Sequence, residues 1–290
     1  MIKIYLIWDF DGPIGQINAT YPYNFHYKTV LREIQNVQYI LDILEKRNIH
    51  SIFAITGFTG EEGSFPYNAP DLIRQIHSRG HEIASHSWKH EWLPKYSPGQ
   101  VFKSMKRSKD ILEQCIGISG SVAGFVPPHN RPMTWMQKYA YSLGDIMPYP
   151  LSKTGNLQNI IRAAHQIGYK WIRVSYQPFY HRIKPDPLFR FKQNNQQYKN
   201  LKILLSHSLG FAENSIQAVK KGVMLKKDVV ITAHPSGLSR KGSEHTDNFM
   251  NFLDNLETLR KEKKVEFFRF CNSTNYLESL REDRSLVNVK

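Results

Sequence analysis

Gly80-His81-Glu82-Ile83-Ala84-Ser85-His86-Ser87-Trp88-Lys89-His90 sets a short β-prone run directly before two histidines four residues apart. A chain that coils as it leaves a strand can turn such a pair toward one point, and one point is what a metal ion needs. With twelve histidines in the chain, the spacing alone does not separate a ligand pair from two unrelated surface residues. The neighbouring segments have to decide.

Apolar, β-prone runs at 2–8, 51–56, 81–85, 121–126, 171–175, 201–206, 228–233 and 265–268 read as strands. Between them lie helical patterns at 27–45, 69–78, from near Ser97-Pro98 to Ile116, and at 132–141, 157–166, 215–225 and 249–259. Asp9-Phe10-Asp11-Gly12-Pro13 reads as a turn that closes the first strand. Strands alternating with helices throughout predict an α/β fold, a parallel sheet or barrel covered by helices. Residues 176–200 break the rhythm with Pro178, Pro185, Pro187 and the polar run Gln193–Gln197. They read as an irregular loop whose Tyr176, Phe179, Tyr180 and His181 are candidates for a substrate lid. No repeat or boundary divides the chain, so 1–290 is expected to be one catalytic domain.

Two cysteines, Cys115 and Cys271, make no disulfide framework. The apolar start is cut off by Asp9 and is too short for a signal peptide, and no apolar run is long enough for a transmembrane helix. A cytoplasmic protein is expected, with the inner membrane surface as a further location. The formal charge of +14 favours anionic partners. Lysine and arginine are dispersed, however, and the densest cluster, Arg260–Lys264, suits a helix C-terminus. No aromatic-interleaved basic block marks a nucleic-acid module.

In such folds the active site forms beyond the carboxyl ends of the strands. Three polar groups fall there: Asp9 with Asp11, His86 with His90, and His234. A carboxylate and two imidazoles make a three-ligand site with an open position, the catalytic rather than the structural pattern. If the first strand runs through Asp11, both aspartates face one pocket and Phe10 faces the other way.

Arg74–His90 as a whole, the strand-like Asn48–Gly57, Gly124-Phe-Val-Pro-Pro-His-Asn130 and Val229-Val-Ile-Thr-Ala-His-Pro235 resemble motifs of the polysaccharide deacetylase (NodB-homology) superfamily. The resemblance spans about Ile4 to Leu277. It implies a distorted (β/α) barrel of about seven parallel strands. It implies one divalent metal ion, usually Zn2+, on Asp11, His86 and His90, with Ser87 bracing the histidine loop. His234 matches the general acid. Asp9-Phe10-Asp11 resembles the Asp-x-Asp variant of cytoplasmic relatives, which makes Asp9 the base. The His129 backbone N–H would hold the oxyanion, with Asn130 lining the pocket. Trp88, Trp92, Tyr180 and Arg131 are candidate substrate contacts. Val126 stands where the family carries an arginine that orients the base, and Arg131 or Arg173 could supply that charge. The family's fourth, Asp-rich motif has only Asp145 and Asp186 as candidates.

The implied reaction is removal of an N-acetyl group from a sugar. The substrate would be a nucleotide- or lipid-linked precursor in surface polysaccharide biosynthesis. Hydrolysis of another C–N bond, of the cyclic ureide or imide kind, is the alternative activity. A non-catalytic metal- or carbohydrate-binding protein is the third reading, favoured by Val126.

Overall fold

Ile2–Phe10 forms strand β1, buried almost end to end. Its alternate residues serve two cores. Ile4, Leu6, Trp8 and Phe10 belong to the large outer core, and Tyr5 and Ile7 to a smaller inner one. Asp9 continues the inner row. The computed structural model describes residues 1–19, 27–93, 96–128, 157–174, 188–193 and 196–270.

The further strands are β2 (Ile52–Ile55), β3 (Glu82–Ser85), β4 (Gly124–Phe125), β5 (Trp171–Val174), β6 (Gln196–Tyr198), β7 (Leu201–Leu205), β8 (Ser208–Leu209), β9 (Val229–Ala233) and β10 (Val265–Phe267). They form one sheet in the order β6-β7-β5-β4-β3-β2-β1-β9-β8, with β10 beside the start of β1. Every pairing is parallel except β6 with β7. In a flat sheet β5 would lie about 19 Å from β1, four strand spacings away. Yet the Arg173 guanidinium on β5 reaches Asp9 on β1 at 2.5 Å. The sheet must therefore curl into a half-barrel with those side chains inside it.

Helices α1 (Gly12–Ala19), α2 (Tyr27–Lys46), α3 (Pro70–Ser78), α4 (Pro98–Ile116), α5 (Leu157–Ile167), α6 (Phe189–Gln193), α7 (Glu213–Leu225) and α8 (Thr246–Lys261) join the strands. In α2, Val30, Val37, Leu41 and Leu44 are buried, the apolar stripe the spacing predicts. Ser97 and Gln100 form a capping box at the start of α4. At the amino ends of the strands, Phe270 stacks on Tyr5 and Trp171, with ring centroids 4.8 Å and 5.1 Å apart. Glu82 accepts from Trp171 Nε1 at 2.8 Å and from the Phe270 backbone N–H at 2.6 Å. This aromatic floor closes one end of the interior, and the polar groups gather at the other.

Several sequence expectations need correction. Gly12-Pro13 starts a helix rather than ending in a turn, because Gly12 (φ 65°) reverses the chain and proline suits a first helical turn. β1 consequently stops at Phe10, and Asp11 sits on the strand–helix junction. The fourth strand shrinks to Gly124–Phe125. Within 176–200, the described residues include a short helix and the antiparallel β6. The helix expected at 132–141 and the lid aromatics lie outside the described residues. No helix among the described residues is long and apolar enough to cross a membrane.

Candidate active site

Asp11, His86 and His90 offer ligand atoms that all lie within 4.8 Å of one another, and all three residues are buried. Asp11 Oδ1 stands 3.3 Å from His86 Nε2 and 3.2 Å from His90 Nε2. The Thr56 hydroxyl donates to the Asp11 carbonyl at 3.0 Å, which fixes the junction. Helix α1 can pass this close because residue 15 is glycine. A Cβ there would lie 2.6 Å from the Asp11 Cβ and 3.2 Å from the His90 ring.

His86 Nδ1 donates to the Val126 carbonyl at 2.8 Å. Its Nε2 lone pair therefore faces Asp11 Oδ1, a buried atom with no hydrogen-bond partner among the described residues. A lone pair facing a carboxylate oxygen at that distance is repulsive unless a proton or a cation lies between them. Two imidazoles and one carboxylate around one point are a donor set that suits a borderline divalent ion. The residues fit a metal. Burial pushes the Asp11 carboxyl up, but the His90 charge first, and the nearness of both imidazoles after it, outweigh that and hold Asp11 well below the usual carboxylate range.

Asp9 points into the half-barrel, 1% exposed. Arg173 Nη2 donates to its Oδ2, and the arginine is equally buried. Asp9 Oδ1 is buried and has no hydrogen-bond partner among the described residues. Across from it, His234 follows β9 and brings Nε2 to 3.9 Å from Asp9 Oδ2. On the other side of the ring, His234 Nδ1 donates to Glu244 Oε1 at 2.8 Å, and the same oxygen accepts from the His234 backbone N–H. Burial lowers the His234 pKa. The hydrogen bond and charge of Glu244, with Asp11 and Asp9, outweigh that and raise it to about 10. A third carboxyl, Glu33 on α2, is pushed up to about 8 by burial and by the Asp11 charge; Gln16 Nε2 donates to it at 2.6 Å.

The structure thus brings Asp9, Asp11, His86, His90 and His234 to one end of the half-barrel. Ser87 lies in the histidine loop, where its hydroxyl donates to Glu91 Oε2 at 2.7 Å. Trp88 sits at the rim, but the Arg107 guanidinium lies 3.6 Å and the Lys89 ammonium 4.1 Å from its ring centroid. A sugar stacking on Trp88 would have to displace a cation. Trp92 is buried, so it packs rather than forming a wall. His129, Asn130, Arg131 and Tyr180 lie outside the described residues, as do Asp145 and Asp186. Arg173 holds the position beside Asp9 that Val126 leaves without a charge, and Val126 contributes its carbonyl to His86 instead. Sequence reasoning missed Glu244. Its signal is weak: a lone glutamate ten residues beyond His234, outside any motif.

A family model described as polysaccharide deacetylase matches residues 19–144, a span that holds His86 and His90 but not Asp9, Asp11 or His234. A 30.6 kDa uncharacterized protein of Geobacillus stearothermophilus is 29% identical over 107 residues, covering 35% of this chain and 37% of that protein. The peptidoglycan-N-acetylmuramic acid deacetylase PdaC of Bacillus subtilis is 26% identical over 132 residues, 44% of this chain and 27% of PdaC. The chain thus aligns with well under half the length of these curated relatives. A crystal structure from Mycobacterium smegmatis that carries a polysaccharide deacetylase name superposes with a TM-score of 0.58 at 16% identity, covering 98% of this chain and 91% of that one. At that identity the likeness concerns the fold, an α/β half-barrel of the NodB type.

Proposed function

We propose that this chain, a member of the polysaccharide deacetylase superfamily, is a metal-dependent amide hydrolase that removes the N-acetyl group of a sugar. The observation that carries this is the pairing at one end of the half-barrel of a cation-ready triad with Asp9, a carboxylate held by Arg173 through one oxygen and, among the described residues, without a partner at the other. Asp11, His86 and His90 are the proposed ligands and zinc the proposed ion, which when bound supplies Lewis acidity at neutral pH.

Asp9 Oδ1 takes the proton of the attacking water as its oxygen bonds to the acetamide carbon. Arg173 fixes the orientation of the carboxylate and balances its charge. His234, charged through its bond to Glu244, gives a proton from Nε2 to the nitrogen as the C–N bond breaks. An amide needs that proton, because an unprotonated amine is a very poor leaving group. Acetate and the free amino sugar are the products. The net charge of +14 supports a phosphorylated substrate, an N-acetylated sugar linked to a nucleotide or a lipid.

Acetate release from free, nucleotide-linked and lipid-linked N-acetyl sugars, with Zn2+ and after chelation, tests the reading. Release that chelation abolishes and zinc restores is expected, fastest with a phosphate-bearing sugar. Zinc bound with no acetate released from any of them would sink it.

A further inference from the structure

Between the two candidate ligand histidines the backbone twice enters the left-handed region, at Ser87 (φ 63°) and at His90 (φ 58°). Neither residue is glycine, so the surrounding structure has to hold both against their preference. On one side, β2 and its exit supply backbone bonds: Gly57 N–H to Ser87 O and Phe58 N–H to Trp88 O, both at 2.9 Å. On the other side one carboxylate gathers three donors. Glu91 Oε2 accepts from the Ser87 hydroxyl at 2.7 Å and from the Lys89 backbone N–H at 2.8 Å. Glu91 Oε1 accepts from the Ser104 hydroxyl on α4 at 3.0 Å. The Glu91 N–H donates back to Ser87 Oγ at 3.2 Å, and Ser104 Oγ also accepts from the Trp88 N–H at 3.3 Å.

We infer that Glu91 is a positioning residue, a clamp that ties the histidine loop to α4 and so sets the angle between His86 and His90. Its oxygens are occupied by these donors, and it is not among the clustered ligand atoms. It would act on a cation only through the backbone of residues 87–90. Two charge-assisted bonds end on one oxygen, so an amide at this position keeps part of the clamp and an alanine none. Removing such outer partners of a metal site weakens binding by about 10- to 100-fold.

The inference rests on the metal reading above, and Zn2+ alone is the probe. Dissociation constants are measured against a chromophoric chelator, together with the melting temperature of the metal-free protein. Glu91→Ala is expected to raise the Zn2+ Kd by about 10- to 100-fold and to shrink the zinc-induced rise in Tm. Glu91→Gln and Ser104→Ala are expected to raise Kd less. A clamp that served the fold alone would lower the metal-free Tm and leave Kd where it was, and that result overturns the inference. Should Glu91→Ala fail to fold, wild-type Kd in both milder variants overturns it equally. A wild-type chain that binds no Zn2+ removes the metal reading and this inference with it. Zinc binding without hydrolysis removes only the proposed activity, and Glu91 is then still decided by Kd.

Discussion

The candidate metal triad and the proposed acid–base pair stand side by side but are built differently. Asp11, His86 and His90 come from the first ninety residues and are held from adjoining strand ends, by Thr56 after β2, Val126 after β4 and the loop around Ser87. Asp9 depends on Arg173 from four strands away, and His234 on Glu244, ten residues on in the segment leading into α8. One region is a compact motif. The other is assembled by the curl of the sheet, and replacing a member of either should leave a different signature.

The largest effect is expected from Asp11→Ala or His86→Ala, which should abolish zinc binding, seen by chelator competition, and acetate release with it. Asp9→Asn should leave zinc affinity near wild type and lower kcat by about 10²- to 10⁴-fold, the range for removing a general base. Equal loss of binding in both kinds of variant would erase the contrast between the regions. Arg173→Met leaves the buried Asp9 carboxylate uncompensated and should cost about 3–5 kcal/mol in denaturant unfolding. Asp9→Asn/Arg173→Met should recover part of that, because no charge is then left stranded.

Glu244→Gln reaches the same region through pKa. His234 is raised above its ordinary 6.5 to about 10, so its charged form is favoured by folding. The stabilising contribution is complete below about 6.5 and is lost as pH rises through about 10. Losing the Glu244 charge should move the alkaline limb of the pH–rate profile downward. A cation on Asp11 offsets part of the same pull, so the limb should also lie lower with zinc than His234 alone would place it. The smallest effect is expected at Glu33, raised from 4.5 to about 8. A raised carboxyl costs stability as pH climbs between those values. Glu33→Gln should therefore match wild type below about pH 4.5 and gain on it toward pH 8, read as Tm against pH.

What the sequence made legible follows the same division. The strand before His86 and the i, i+4 histidines are local patterns, and the Ser97-Pro98 start of α4 is a local cap, so each could be read in place. Gly12-Pro13 reads as a turn yet opens α1, because the residues that make turns also open helices. Arg173 could be named only as one of two candidates, since its meaning depends on how far the sheet curls, and no local period encodes curl. Glu244 carries only a weak signal: its partner lies ten residues back, across a bend whose course is set by tertiary packing.

The Asp9–Arg173 bond joins positions 164 residues apart. Contacts of such long sequence separation carry a large loop-closure cost and form late in folding. The half-barrel therefore ties competence to completion. A chain emerging during synthesis has all three candidate metal ligands long before β5 exists to charge-balance Asp9, the proposed base, and His234 arrives later still. If the proposed function holds, metal uptake and hydrolysis should accordingly mature at different times in a refolding experiment, so that a half-made molecule can hold a cation while remaining chemically silent.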